Sequence, residues 1–300
     1  MKVLITGSAG MLGSAMYPAF VRAGHEVVAT DLEPRPVDGL EMGTLDVRDA
    51  AAVRKLVDVV RPALVLHLAA ETDLEACERD PDHAYRTNTL GTEFVALACR
   101  ARGTPLVYIS TAGVFDGTKD GAYTELDRAN PINVYGRSKY EGELVAMRLM
   151  PESYVVRAGW MIGGGDRDHK FVHKIGEQLR AGATTIHAVE DKLGTPTYTR
   201  DFAANLLELV ETGFYGRYHM ACRGEGSRYD VALEIVRHSG RSDVHVVAVD
   251  SAHFSETYSA PRPRSEIMRN YMLDLHGLNR MRAWQVALRE YLDESAVGLA

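Results

Sequence analysis

The sequence predicts an α/β fold, a doubly wound parallel sheet with a smaller, interleaved C-terminal lobe. Two observations predict the sheet: short continuous runs of Val, Ile and Leu, and longer segments of helical spacing between them. A third predicts the lobe. After about Arg157 the strict alternation gives way to glycine-rich and mixed short segments.

The strand runs are Lys2 to Thr6, Glu26 to Thr30, Ala63 to His67, Pro105 to Ser110 and Ser153 to Arg157, with a further strand ending at Leu45-Asp46-Val47. Runs this short and this apolar suit strands covered on both faces. Between them, helical spacing covers Met11 to Ala23, Asp49 to Val60, Asp82 to Arg102 and Val134 to Leu149, with Asp49 as an N-cap and Pro62 just past a helix end. Strand alternating with helix demands parallel crossovers, which is the Rossmann arrangement. The expected division is a dinucleotide-binding domain over 1–158 and a lobe over 159–300. In the lobe, Gly163-Gly164-Gly165 predicts a loop and Phe171 to Ala181 a helix. An amphipathic helix over Asp201 to Glu211 is expected to pack back on the sheet, so about 188–211 rejoins the first domain.

Composition narrows the function. Of 300 residues 46% are hydrophobic and 25% charged, ample for a sizeable core. The net charge of -7 is spread without long blocks of one sign, which argues against nucleic acid as a partner. Cys77, Cys99 and Cys222 are few and contain no CxxC pair, so neither a disulfide framework nor a structural zinc site is expected. A reducing cytoplasm fits. The opening MKVLITGSAG enters a strand at once, unlike a signal peptide, and no run approaches the roughly 20 apolar residues of a membrane span.

The first strand runs into Gly7-Ser8-Ala9-Gly10-Met11-Leu12-Gly13, a GxxGxxG spacing that opens a helix. Glycines there permit a tight turn, let a pyrophosphate approach the helix N-terminus, and let the helix lie close to the sheet. Asp31 closes the second strand, where a carboxylate accepts hydrogen bonds from an adenosine ribose and repels a 2'-phosphate. NAD(H) or NADP(H) is therefore the expected cofactor, with Asp31 favouring NAD(H); nearby Arg35 would favour the phosphorylated form. Asp46 and Val47, and Leu68, Ala69 and Ala70, end strands that border the same cleft.

In NPINVYGRSKYEGE, from Asn130 to Glu143, Tyr135 and Lys139 stand four residues apart and share a helix face. A phenol that exchanges protons near neutral pH must escape its usual value of about 10, and a neighbouring ammonium is expected to lower it. The fifth strand ends at Ile109-Ser110-Thr111, which puts a Thr111 hydroxyl at the carboxyl edge of the sheet. There it can polarise a carbonyl that Tyr135 protonates, while Lys139 reaches the nicotinamide ribose. Packing explains each residue singly; the combination favours chemistry.

Gly7, Gly10, Gly13, Thr111, Tyr135 and Lys139, in this order and spacing, resemble the extended short-chain dehydrogenase/reductases. A closer resemblance, to the dTDP-4-dehydrorhamnose reductase family of sugar-nucleotide reductases, rests on HLAAETDLEACE, STAGVFDG, ANPINVYGRSKYEGE, VVRAGWMIG, LGTPTYTRDFA and APRPRSEIM. It implies that Tyr135 gives a proton to a 4-keto sugar as NAD(P)H delivers hydride, with Thr111 polarising the carbonyl. It also implies that Thr72, Leu74 and Trp160 border the sugar of a nucleotide-diphosphate substrate, that Arg262 approaches its nucleotide or phosphates, and that the protein is a homodimer through 82–102 and 134–149.

The family's pattern after the Ser-Thr pair is Asp-Tyr-Val-Phe, whereas this chain has Ala112-Gly113-Val114-Phe115. An acid and an aromatic are missing beside the reaction centre, which opens the identity of the sugar. The same residues disfavour a 4,6-dehydratase, which needs an Asp-Glu pair there. A 4-epimerase with tightly held NAD is an alternative, and a non-catalytic regulatory subunit resembling the methionine adenosyltransferase beta subunit is another of a different class. Asp166, Asp168, His169 and His173 crowd one loop and helix but complete no known ligand set, so a loop that closes over substrate is expected there rather than a metal. GxSxG does not occur, which leaves a serine hydrolase without support.

Overall fold

The computed structural model describes residues 1–295. Its elements, in chain order, begin with β1 (Lys2–Thr6), α1 (Met11–Arg22), β2 (Glu26–Asp31), β3 (Gly43–Thr44), α2 (Ala50–Val60) and β4 (Leu64–His67). They continue with α3 (Leu74–Arg79), α4 (Pro81–Tyr85), α5 (Gly91–Arg102), β5 (Leu106–Thr111), α6 (Val134–Leu149) and β6 (Ser153–Ala158). The sheet order is completed by a strand from much later in the chain.

After β6 come β7 (Trp160–Ile162), α7 (Phe171–Arg180), β8 (Thr185–Val189), β9 (Leu193–Gly194), β10 (Pro196–Tyr198), α8 (Thr199–Glu211) and β11 (Gly216–Met220). The last elements are β12 (Gly226–Ser227), α9 (Arg228–Ser239), β13 (His245–Val249), β14 (Ser265–Glu266), α10 (Tyr271–Leu275) and α11 (Trp284–Glu294).

Seven strands form one parallel sheet in the order β11-β6-β5-β4-β1-β2-β3. From β1 the chain winds outward through β2 and β3, then crosses back to β4 and winds the other way. The reversal lies between β1 and β4, where two crossovers leave on opposite faces and open a crevice at the carboxyl ends of the strands. Helix α1 and α8 cover one face of the sheet; α2, α5 and α6 cover the other. The continuous burial of Val3, Leu4 and Ile5, and of Leu64, Val65 and Leu66, follows from this double cover.

Three small sheets build the remainder: β10-β7, β12-β9-β14 and β13-β8. Two differences from the periodicity are informative. The third strand is only Gly43–Thr44, because Asp46 turns the chain by accepting from the Arg48 amide and Asp49 then caps α2 by accepting from the Ala51 and Ala52 amides. The single helix expected over Asp82 to Arg102 is interrupted at Arg86–Leu90 by a π turn. Its extra residue lets Asn88 leave the regular helical stripe and reach the Glu71 backbone (2.8 and 3.0 Å) and the Ser138 hydroxyl (2.9 Å).

Candidate active site

The glycine loop is shaped by close approach. Gly7 has φ +75°, and a Cβ on it would stand 2.5 Å from the Ala69 amide nitrogen. A Cβ on Gly13 would stand 2.4 Å from the Gly7 carbonyl oxygen, so neither position tolerates a side chain without backbone movement. Gly10 differs: its nearest neighbour would be 3.6 Å away, leaving the first turn of α1 open on that side. No side chain caps α1, whose exposed amides form a place for an anion.

Asp31 terminates β2 and accepts from the Ala9 amide (2.9 Å) and the Glu33 amide (3.2 Å), which fixes its carboxylate beside the loop. Arg35 lies 3.8 Å from Glu33 and is 61% exposed. Met11 and Leu12 form the start of α1, with Met11 against Gly164. Leu68 continues β4 by donating to the Thr6 carbonyl (3.0 Å), bringing Ala69 and Ala70 to the far side of the crevice. The Asp46 carboxylate is taken up by the Arg48 guanidinium at 2.7 to 3.1 Å, and Val47 is buried against Gly91. An open glycine turn, an uncapped helix start and a fixed carboxylate fit a nicotinamide dinucleotide held by its pyrophosphate and ribose.

The groups expected to react sit where β5 meets α6. Thr111 ends β5 and caps the short turn Ala112–Val114, its Oγ1 accepting from the Gly113 amide at 3.1 Å. Asn133 caps α6 by accepting from the Gly136 amide at 2.7 Å and donates to the Pro261 carbonyl at 2.8 Å, tying the helix start to a segment far along the chain. Gly136 allows the approach, since a Cβ there would stand 2.2 Å from the Gly113 carbonyl oxygen. Tyr135 is thereby set beside Thr111, whose hydroxyl acts to lower the phenol.

The expectation that Lys139 lowers the phenol is corrected by the geometry. Burial pushes the Tyr135 hydroxyl up to about 12; the hydrogen bond from Thr111 offsets part of this, while Cys77, Glu266 and Glu71 add to it. Among the described residues no hydrogen bond joins Lys139 to Tyr135. The Lys139 ammonium lies instead 4.2 Å from the centroid of the Tyr108 ring. Burial brings Lys139 down to about 7, with Glu143 acting in the opposite direction. At neutral pH the phenol therefore keeps its proton, the form a donor requires.

One turn beyond Lys139 on the same helix, Glu143 is fully buried and binds Arg157 of β6 through two bonds (2.8 and 2.7 Å) and the Ser110 hydroxyl (2.5 Å). Asn88 and Ser138 lie beneath the same helix face, with Ser138 donating to the Tyr135 carbonyl at 2.9 Å. None of these was singled out from sequence. Glu143 could have been, because Tyr135, Lys139 and Glu143 repeat at i, i+4 and i+8.

The residues expected to border the sugar, with the neighbours that hold them, come from four separated segments. Thr72 and Leu74 sit at the start of α3, which packs on α6. Trp160 on β7 donates its indole N–H to Glu266 of β14 at 2.8 Å, and Arg228 of α9 stacks 3.9 Å from the centroid of its ring. Arg262 does not stand free toward a ligand: it pairs with Glu75 of α3 at 2.8 Å. Glu266 and Arg228 escaped sequence reasoning: Glu266 lies in a two-residue strand, too short for a periodicity, and Arg228 opens α9 like any other helix-start residue. Asp168 accepts from the Lys170 amide and from Tyr291, and His173 pairs with Glu177. Among the described residues no three His, Cys, Asp or Glu side chains converge as metal ligands.

A family model described as RmlD substrate binding domain matches residues 1–297. A dTDP-4-dehydrorhamnose reductase of Mycolicibacterium smegmatis is 33% identical over 291 residues, covering 96% of this chain and 84% of that protein. The solved structure of a dTDP-4-dehydrorhamnose reductase from Clostridium acetobutylicum is 36% identical, with a TM-score of 0.90 over 98% of this chain and 99% of that one. A Bacillus anthracis dTDP-4-dehydrorhamnose reductase, solved in complex with NADP, is 31% identical with a TM-score of 0.89 over 98% and 99%.

Proposed function

The chain belongs to the RmlD substrate binding domain family, and from that premise we propose that it is an NAD(P)H-dependent oxidoreductase that reduces the 4-keto group of a nucleotide-linked deoxy sugar. The observation that carries the reading is the Thr111–Tyr135 pair at the carboxyl edge of the sheet, next to a crevice whose glycine loop suits a dinucleotide.

The bound nicotinamide supplies the hydride. The chain's own residues do the rest. Thr111 Oγ1 is oriented by the Gly113 amide and donates a hydrogen bond to the keto oxygen, polarising it while keeping its own proton. Tyr135, kept protonated by burial, passes its proton to the alkoxide that forms there. Lys139 would reach the nicotinamide ribose with its ammonium. Its value of about 7 means that the cationic form is lost as pH rises through neutrality, so the rate of reduction is expected to fall over that range.

Gly7, Gly10, Met11, Leu12 and Gly13 would hold the pyrophosphate, with Ala69, Ala70 and Val47 flanking the adenosine and nicotinamide sides. Asp31 supports NAD(H) over NADP(H): a carboxylate fixed there would accept from the ribose hydroxyls and repel a 2'-phosphate, while Arg35 stands exposed near Glu33. Exposed Leu97, Leu144 and Met147 on α5 and α6 support a homodimer through those helices. The three cysteines are buried and unpaired, as suits a reducing compartment, and no helix among the described residues is long and apolar enough to cross a membrane.

The test is consumption of NADH and of NADPH, measured at 340 nm with a dTDP-4-keto-6-deoxy sugar. Wild type is expected to oxidise the reduced cofactor, with NADH the better substrate by about tenfold. Tyr135→Phe should lose about 10²- to 10⁴-fold in kcat while binding the cofactor normally. Failure of wild type to oxidise either cofactor with any keto sugar nucleotide would sink the proposal.

A further inference from the structure

One carboxylate of the site has an oxygen without a partner. Glu266 Oε2 accepts the Trp160 indole N–H at 2.8 Å, whereas among the described residues no hydrogen bond reaches Oε1. That oxygen lies 3.5 Å from where a Cβ on Gly113 would stand, and Thr111 Oγ1 lies 3.4 Å from the same point. The two oxygens are thus at most about 7 Å apart across a gap that glycine keeps open. A longer side chain at position 113 would fill it.

Two oxygens on adjacent carbons of a sugar ring, about 3 Å apart, can reach both sides of such a gap through hydrogen bonds of about 2.8 Å. The chemistry of the two sides differs. Thr111 can donate, so it suits a carbonyl oxygen; an ionised carboxylate only accepts, so it suits a hydroxyl and would repel a carbonyl. Burial raises the Glu266 carboxyl, while its bond from Trp160 and the facing charges of Arg228, Arg262 and Lys192 work against that rise. Trp160 holds the carboxylate in place and is itself clamped between Arg228 and Gly194, whose Cβ would fall 2.2 Å from the indole.

We propose that Glu266 is a specificity-determining residue: its Oε1 accepts a hydrogen bond from the sugar hydroxyl on the carbon next to the keto carbon, while Thr111 and Tyr135 hold the keto oxygen. The inference rests on the 4-keto reduction proposed above. It gives the site an acid supplied by β14, across from the small Ala112 and Gly113.

The experiment compares the full-length protein with Glu266→Ala, Glu266→Gln and Trp160→Phe, using NADH and two substrates: a dTDP-4-keto-6-deoxy sugar, and its analogue with hydrogen in place of the 3-hydroxyl. Glu266→Ala should lower kcat/KM for the hydroxylated sugar about 10- to 100-fold and leave the deoxy analogue within about threefold. Glu266→Gln, which keeps an acceptor for Trp160, should fall between. Trp160→Phe should lower both substrates together. An equal loss on both substrates in Glu266→Ala, or no loss on either, would overturn the inference, since a carboxylate that only props Trp160 cannot discriminate. If the alanine variant does not fold, the substrate ratio in Glu266→Gln decides in the same way. Reduction of neither sugar by wild type removes the function and this inference together, whereas normal wild-type reduction with unchanged ratios in the variants removes this inference alone.

Discussion

The two sides of the crevice are built by different means. On the β1–β4 side, backbone approaches backbone, Ala69 after β4 against Gly7 and the Gly7 carbonyl against Gly13, and Asp31 is fixed by the Ala9 and Glu33 amides. On the other side, Trp160, Arg228, Glu266 and Arg262 come from β7, α9, β14 and the segment before β14, and side chains hold them: Trp160 by Glu266 and Arg228, and Arg262 by Glu75 of α3. A site made by backbone geometry accepts one cofactor shape; a site made by interlocking side chains can be retuned one residue at a time.

Glu143 lies on the helix that carries Tyr135, between the two sides, and its removal is expected to have the largest effect. It joins Ser110 of β5, Arg157 of β6 and the helix carrying Tyr135 and Lys139, all without exposure to solvent. Glu143→Ala leaves the Arg157 guanidinium buried and unpaired, which costs about 3–5 kcal/mol. Urea unfolding of the two proteins measures this directly. A loss below about 1 kcal/mol would mean that neighbouring groups or water take over the charge, and that the two sides are less dependent on this junction than the geometry implies.

A pair of glycine variants separates the two sides more finely. Gly7→Ala forces a side chain onto φ +75° and into the Ala69 backbone at 2.5 Å, a cost of about 1–3 kcal/mol together with weakened cofactor binding. Gly194→Ala meets the Trp160 ring at 2.2 Å instead, and overpacking of about 1–3 kcal/mol should displace the indole and its bond to Glu266. Cofactor titration by fluorescence should report the first change, and KM for the sugar nucleotide the second. If Gly194→Ala weakens the cofactor as much as the sugar, the division between a backbone-built side and a side-chain-built side does not hold.

The same division explains what the sequence could and could not disclose. Gly7, Gly10 and Gly13, and Tyr135 with Lys139, are spacings within a single turn or helix face, so periodicity exposes them. The parallel sheet is legible for the same reason, since doubly covered strands read as unbroken apolar runs. The Trp160–Glu266 bond spans 106 residues, and its strand partners are two or three residues long. Nothing local in the chain records it. The π turn at Arg86–Leu90 is equally silent, because helix propensity does not distinguish an extra residue from a regular turn; its cause is the tertiary reach of Asn88. The Tyr135 shift runs opposite to the direction the spacing predicts, because burial, which spacing does not report, dominates it.

The smallest expected effect lies at the rim, where Arg262 and Glu75 fasten the late segment to α3. Burial alone would raise the Glu75 carboxyl, but bonds from Arg262, the Ala260 amide and the Ser259 hydroxyl bring it down to about 2 from an ordinary 4.5. A depressed carboxylate stabilises the folded state above pH 4.5, and that contribution is lost as pH falls from 4.5 toward 2. Arg262 is 33% exposed and Glu75 18% exposed, so solvent screens the pair and Arg262→Ala should cost only about 1 kcal/mol at neutral pH. Thermal unfolding at pH 7 and at pH 3 should show the variant and wild type converging at the lower pH. The variant also bears on the sugar side, because the bond from Asn133 to the Pro261 carbonyl links this same segment to the cap of α6. If the segment only braces the lobe, KM for the sugar nucleotide rises by no more than about threefold; a rise beyond about tenfold would assign Arg262 to the substrate phosphates, released from Glu75 when the nucleotide arrives.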